Sequence, residues 1–129
     1  DIRASDALEV AATEYACQGL ELDVAGLAWG GDYVRGPKTW EARRFAGHGW
    51  QRDTKEFHFV RNTYRVLLTR ARGETIIWVP PGSDPRNPFH DLTRPMAQYD
   101  QIAAFLQASG ARALPTLLHP VQQTPTLLL

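Results

Sequence analysis

The stretch Thr13-Glu14-Tyr15-Ala16-Cys17-Gln18-Gly19-Leu20-Glu21-Leu22-Asp23 runs directly into Val24-Ala25-Gly26-Leu27-Ala28-Trp29 and stops at Gly30-Gly31. The uncharged run 24–29, bounded by turn residues, reads as a buried strand of the kind found in parallel sheets. Upstream, Leu8, Val10 and Ala12 alternate with Ala7, Glu9 and Ala11, which suits a short strand; a helix capped by Asp6 with Glu9 is the alternative.

Downstream, residues 30–53 are rich in Gly, Arg and aromatic side chains (Tyr33, Trp40, Phe45, Trp50) with no helical period, and read as an insertion containing a hairpin. From about Thr54, the residues Phe57, Val60, Tyr64, Leu67, Leu68 and Ala71 recur at three- and four-residue steps, predicting an amphipathic helix that Gly73 ends. Thr75-Ile76-Ile77-Trp78-Val79 is β-branched and aromatic, a strand stopped by Pro80-Pro81-Gly82. Ser83 to Leu92 reads as a loop. A second helix follows, with Thr93 as cap, Pro95 in the first turn, and Met96, Tyr99, Ile102, Ala103 and Leu106 on one face, closing at Ser109-Gly110. The tail 115–129 holds three prolines and ends in three leucines, as a docking segment or as poorly ordered chain. Strand, helix and strand alternate, so the fold class is α/β with right-handed crossovers.

At 129 residues the chain suits one domain. Fourteen basic residues balance fourteen acidic ones, so any attraction to a polyanion has to be local. Cys17 is the only cysteine, which excludes an internal disulfide and fits a reducing cytoplasm. No apolar run approaches the roughly 20 residues of a membrane span. His48, His58, His90 and His119 lack a metal-ligand spacing, so no metal is assigned. Asp53 and Glu56 near His58 read as a solvated face rather than a nuclease centre. The chain begins at Asp1, so it is expected to be a piece of a longer protein.

Two segments resemble helicase motifs. Thr13 to Glu21 resembles motif V of superfamily 1 helicases, in which a strand ends in Thr, a short turn follows, and Gln-Gly-x-Glu faces the nucleotide. Tyr64-Arg65-Val66-Leu67-Leu68-Thr69-Arg70-Ala71-Arg72 resembles motif VI. More narrowly, Gln18 to Asp23, Gly30-Gly31-Asp32, the helix from Asn62 to Arg72, Trp78-Val79-Pro80 and Asp91-Leu92-Thr93-Arg94-Pro95 resemble the C-terminal end of the Schlafen group 3-like DNA/RNA helicase domain, over residues 8–110. The resemblance implies part of a RecA-like, P-loop NTPase-type second motor domain: a short, mainly parallel sheet flanked by helices with an inserted β-hairpin, spanning 1–129. It implies an ATP-dependent helicase or translocase acting on single-stranded DNA or RNA, cytoplasmic and without a membrane partner. ATP and Mg would be held mainly by an N-terminal motor domain of the same polypeptide, with no cofactor expected in this portion alone.

Within that resemblance Arg70 is the arginine finger. Gln18, Gly19, Glu21 and Arg72 belong to the ATP site, and Thr13 and Tyr15 to the nucleic-acid strand, Tyr15 standing where His is common in the superfamily. The chemistry agrees with the residue types. Phosphoryl transfer spreads negative charge that a guanidinium projected from an opposing surface stabilises. A carboxylate only accepts, which suits Glu21 to a ribose hydroxyl, and Gly19 lets backbone approach a ligand. Arg43 and Arg44, among Trp40, Phe45, Trp50 and Arg52, either contact single-stranded bases and phosphates or belong to a hairpin packed on the sheet. No G-x-x-x-x-G-K-[ST] loop and no Asp-Glu pair after an apolar strand occur, so the chain alone is not expected to hydrolyse ATP. The alternative function is a non-catalytic nucleic-acid or protein interaction module.

Overall fold

The computed structural model describes residues 12–17 and 19–115. The strand expected at 7–12, Gln18 and nearly all of the tail therefore lie outside the described residues, apart from Ala12 and Pro115. The fold is mixed α/β. Strand β1 (Leu22–Ala28) is followed by a meander of β2 (Tyr33–Arg35), β3 (Trp40–Ala46) and β4 (Gly49–Arg52), then helix α1 (Phe57–Leu68), strand β5 (Ala71–Trp78) and helix α2 (Met96–Ala108). β1 and β5 form a parallel pair in the register Leu22↔Ala71 through Ala28↔Trp78. The meander is a separate antiparallel sheet in the order β2, β3, β4. The insertion thus contains the expected hairpin, β3–β4, with one further strand beside it. Gly47 (φ 62°) opens its two-residue turn, where only a positive φ matches the twist of the two strands.

Two boundaries differ from expectation, for local reasons. The first helix ends at Leu68, not near Gly73: the Thr69 hydroxyl donates to the Arg65 carbonyl at 2.8 Å and its N–H returns to Val66, so the last turn closes on itself. Ala71 falls on the helical period but is the first residue of β5, which places Gly73 inside a strand. There a side chain would collide with the backbone of the neighbouring strand, since a Cβ on Gly73 would lie 2.8 Å from the Asp23 carbonyl oxygen. Thr93, expected to cap α2, instead gives its N–H and hydroxyl to the Asp91 carboxylate, at 2.9 and 2.6 Å, and Pro95 stands at the cap position. The bonds from Thr93 and Arg94 hold the Asp91 carboxyl at about 2, well below the usual carboxylate value.

The core is aromatic. Trp29, Tyr33, Val34, Tyr64, Tyr99 and Ile102 are buried together, with Leu27, Val60, Leu68, Ile77 and Leu106 packed around them. The Trp29 ring lies 4.5 Å from Tyr64 and 5.6 Å from Trp40, centroid to centroid, so the end of β1, the meander and α1 meet at one indole. Among the described residues only one face of the β1–β5 pair is covered in this way. On the other, Val24, Ile76 and Trp78 are exposed.

At the end of β1 the Tyr64 hydroxyl donates to Asp32 Oδ1 at 2.7 Å and accepts from the Gly30 N–H at 3.0 Å. Burial, and then the facing Asp32 carboxylate, keep this phenol protonated far above its ordinary range. Tyr64→Phe removes one donor and one acceptor from a half-buried network. It is expected to cost about 1–3 kcal/mol, read as a lower urea midpoint at unchanged m-value.

Candidate functional site

Because β1 and β5 run side by side in the same direction, the residues leading into Leu22 and into Ala71 are neighbours. Two segments separated by some fifty positions are thereby brought edge to edge. Arg70, two residues beyond the C-terminus of α1, sits where the helix dipole favours a cation. Its Nη1 donates to the Leu20 carbonyl at 3.4 Å, and its Nε is buried with no partner among the described residues. A guanidinium N–H left in that state gains from any acceptor brought to it. Arg72, expected at a helix end, lies instead on β5. Its two terminal nitrogens reach Glu21 Oε2 at 3.5 Å and Asp23 Oδ1 at 3.6 Å. All three side chains are well exposed, so these pairs are weak and exchange readily with solvent or ligand.

The segment before β1 is a pair of tight turns. The N–H groups of Ala16 and Cys17 return to the Thr13 carbonyl, and the Leu20 N–H returns to Cys17. Gly19 has φ 83°, a left-handed conformation that asks for glycine, and the space where its Cβ would stand is empty to 4 Å. Thr13 and Tyr15 are exposed on the same turns. Gly19, Glu21, Arg70 and Arg72 are thus gathered at the N-terminal ends of the parallel pair, with Thr13 and Tyr15 on the adjoining turn.

Arg43 and Arg44 are elsewhere, on the β3–β4 hairpin, and differ from each other. Arg43 faces inward: Nε donates to the Gly31 carbonyl at 3.0 Å, Nη1 to Gln98 Oε1 at 2.9 Å, and burial lowers its pKa from the ordinary guanidinium value. Arg44 is 68% exposed beside Asp53. The Asp32–Tyr64 bond and the Gln98 clamp escape the sequence reading, since partners 32 and 55 positions apart leave no trace in spacing. A groove of about 650 Å³ between β5 and α2, lined by Ile77, Leu106 and Leu114 among others, contains neither Arg70 nor Glu21. Among the described residues no cluster of His, Cys, Asp or Glu could hold a metal ion, and no helix is long and apolar enough to cross a membrane.

Comparison with known proteins bears on these motifs directly. The profile of the Schlafen group 3, DNA/RNA helicase domain matches residues 1–81, a span that includes both motif-like segments and ends before the 83–95 loop and α2. No curated protein and no solved structure gives a match. The family match therefore carries a helicase-related function with nucleic-acid binding in general. With 81 of 129 residues matched, the chain belongs to the Schlafen group 3 DNA/RNA helicase domain family.

Proposed function

We propose that this chain supplies the arginine-bearing half of a helicase ATP site, as part of a RecA-like second motor domain. The observation that carries the reading is the register Leu22↔Ala71, which seats Arg70 one backbone contact from the Gln-Gly-Leu-Glu turn. The outer face of the β1–β5 pair supports it, because parallel strands are ordinarily layered on both faces and Val24, Ile76 and Trp78 are exposed among the described residues.

The residues fit one side of a nucleotide and not the other. The Nε of Arg70, without a partner among the described residues, and the exposed Glu21 carboxylate suit a phosphate oxygen and a ribose hydroxyl. The sequence holds no G-x-x-x-x-G-K-[ST] loop and no Asp-Glu pair after an apolar strand, so a lobe with a phosphate-binding loop would hold ATP and Mg. When bound, ATP supplies the phosphoryl group whose transfer drives movement along DNA or RNA. Arg70 stabilises the charge that develops on that group. Arg72 stays within weak ion-pair reach of Glu21, Gly19 leaves the backbone approachable, and Gln18, Thr13 and Tyr15 connect the nucleotide to the strand.

The ribose contact has its own test. With the phosphate-binding lobe present, the wild type should prefer ATP to 2′,3′-dideoxy-ATP by about tenfold in KM, the worth of a hydrogen bond to a charged acceptor. Glu21→Ala should bring the two nucleotides to the same KM. A variant that kept the wild-type preference would remove Glu21 from the site.

A further inference from the structure

The β3–β4 hairpin carries a cluster that the motif-based site does not use. Between Ala42 and Asp53 it holds Arg43, Arg44, Arg52 and His48 and no acidic residue, on a chain whose basic and acidic residues are equal in number. Its pairing sets Arg43 opposite Arg52 and Phe45 opposite Trp50, so like charges face each other across two strands. The Arg43 side chain turns away to Gly31 and Gln98, with Asp32 and Glu41 near enough to act on it, which leaves Arg52 as the outward cation of the pair.

The aromatic pair is fixed from one side only. Trp50 lies against Gly31 so closely that a Cβ there would come within 2.5 Å of the indole, and the Arg43 guanidinium sits 5.4 Å from the ring centroid. Arg43 is itself held by Gly31 and Gln98. Phe45 meets Trp50 edge-on at 5.3 Å, yet is 55% exposed. Its position is set by the fold while its outer surface has no cover. By contrast Trp40, on the same strand, is turned into the core against Tyr33 and Phe105. Arg44 and Arg52 are exposed, and the tip glycines Gly47 and Gly49 have open space where side chains would be.

We propose that this hairpin is a second single-stranded nucleic-acid contact, in which Phe45 stacks on a base and Arg52, on the same face of the hairpin, holds a flanking phosphate. A preset aromatic ring beside an exposed arginine is an arrangement that binds a strand without reading its sequence. The inference deepens the helicase reading by adding a contact away from the ATP motifs. It predicts binding that needs no nucleotide.

The test is fluorescence anisotropy of labelled oligothymidylate with the 129-residue chain, without ATP, over a range of salt concentrations. Phe45→Ala should weaken binding about tenfold at unchanged salt slope, and Phe45→Trp should restore it. Arg52→Ala should reduce the slope of log K against log salt by about 0.7, and Arg44→Ala, on the opposite face, should leave it unchanged. Circular dichroism of each variant should match wild type. The proposal is overturned if the chain does not bind, if Phe45→Ala and Arg52→Ala bind as wild type, or if polyglutamate displaces the strand regardless of residue 45. The last result would mark a general site for acidic partners. Because no nucleotide is present, failure here leaves the Arg70 and Glu21 assignments standing, and their failure leaves this one standing.

Discussion

Arg70→Ala should lower nucleic-acid-stimulated ATP turnover by about 10³–10⁵-fold in kcat when the chain is assayed with the phosphate-binding lobe that our reading requires. The magnitude follows from where the charge would act. A finger contributes mainly when negative charge spreads over the transferring group, so KM for ATP should change far less than kcat. Arg70→Lys should recover little, because an ammonium lacks the planar fork and reaches one acceptor where a guanidinium reaches two. The competing account is a helix-end arginine whose role is its 3.4 Å bond to the Leu20 carbonyl. On that account the alanine variant would lose a little stability and keep its turnover. Steady-state ATPase at saturating single-stranded nucleic acid, with a urea melt of the same variant, separates the two. Turnover near wild type would reject the finger.

Much of this arrangement was legible because it depends on features short in sequence. The uncharged run after Asp23 announces β1, and the run Thr75-Ile76-Ile77-Trp78 announces β5; their pairing is parallel as read, but β1 is not the buried strand expected, since Val24, like Ile76 and Trp78, is exposed. The helix containing Tyr64 shows in its apolar period. Its end does not, because Ala71 continues the period while the Thr69 hydroxyl closes the turn, and only the pairing Leu22↔Ala71 makes residue 71 a strand residue. For the same reason Arg72 reads as a helix-end cation in sequence but bridges Glu21 and Asp23 from β5.

The insertion marks the limit of periodicity. Its aromatic residues look equivalent along the chain, but Trp40 enters the core, Trp50 is clamped between Gly31 and Arg43, and Phe45 faces water. Alternation along a strand assigns sides, but which side is covered depends on α2 and the end of β1, distant in sequence. Arg43 and Arg44 diverge on the same principle: adjacent residues point to opposite faces, and only one face meets Gln98. Neighbouring cations read together from the sequence as ligands of nucleic acid therefore have different surroundings, and Arg44 is the exposed one of the two.

Trp29→Ala should be the most damaging single substitution for stability, at about 3–5 kcal/mol. The indole is 4% exposed, packs against Tyr33, Trp40 and Tyr64, and donates its Nε1–H to the Tyr33 carbonyl at 2.7 Å. Deleting it leaves a cavity where β1, the meander and α1 meet, along with an unpaired carbonyl. Domains of this size hold about 5–15 kcal/mol in total, so the loss is a large fraction and should lower Tm by roughly 10–20 °C. Trp78, the same residue type at the end of the paired strand, provides the control. It is 59% exposed on the outer face, so Trp78→Ala should cost under about 1 kcal/mol in this chain. Urea melts of the two variants thus report which face of the parallel pair is the core. Equal losses would mean that the outer face is buried in solution, and a small loss at Trp29 would mean that the aromatic cluster does not hold the fold together.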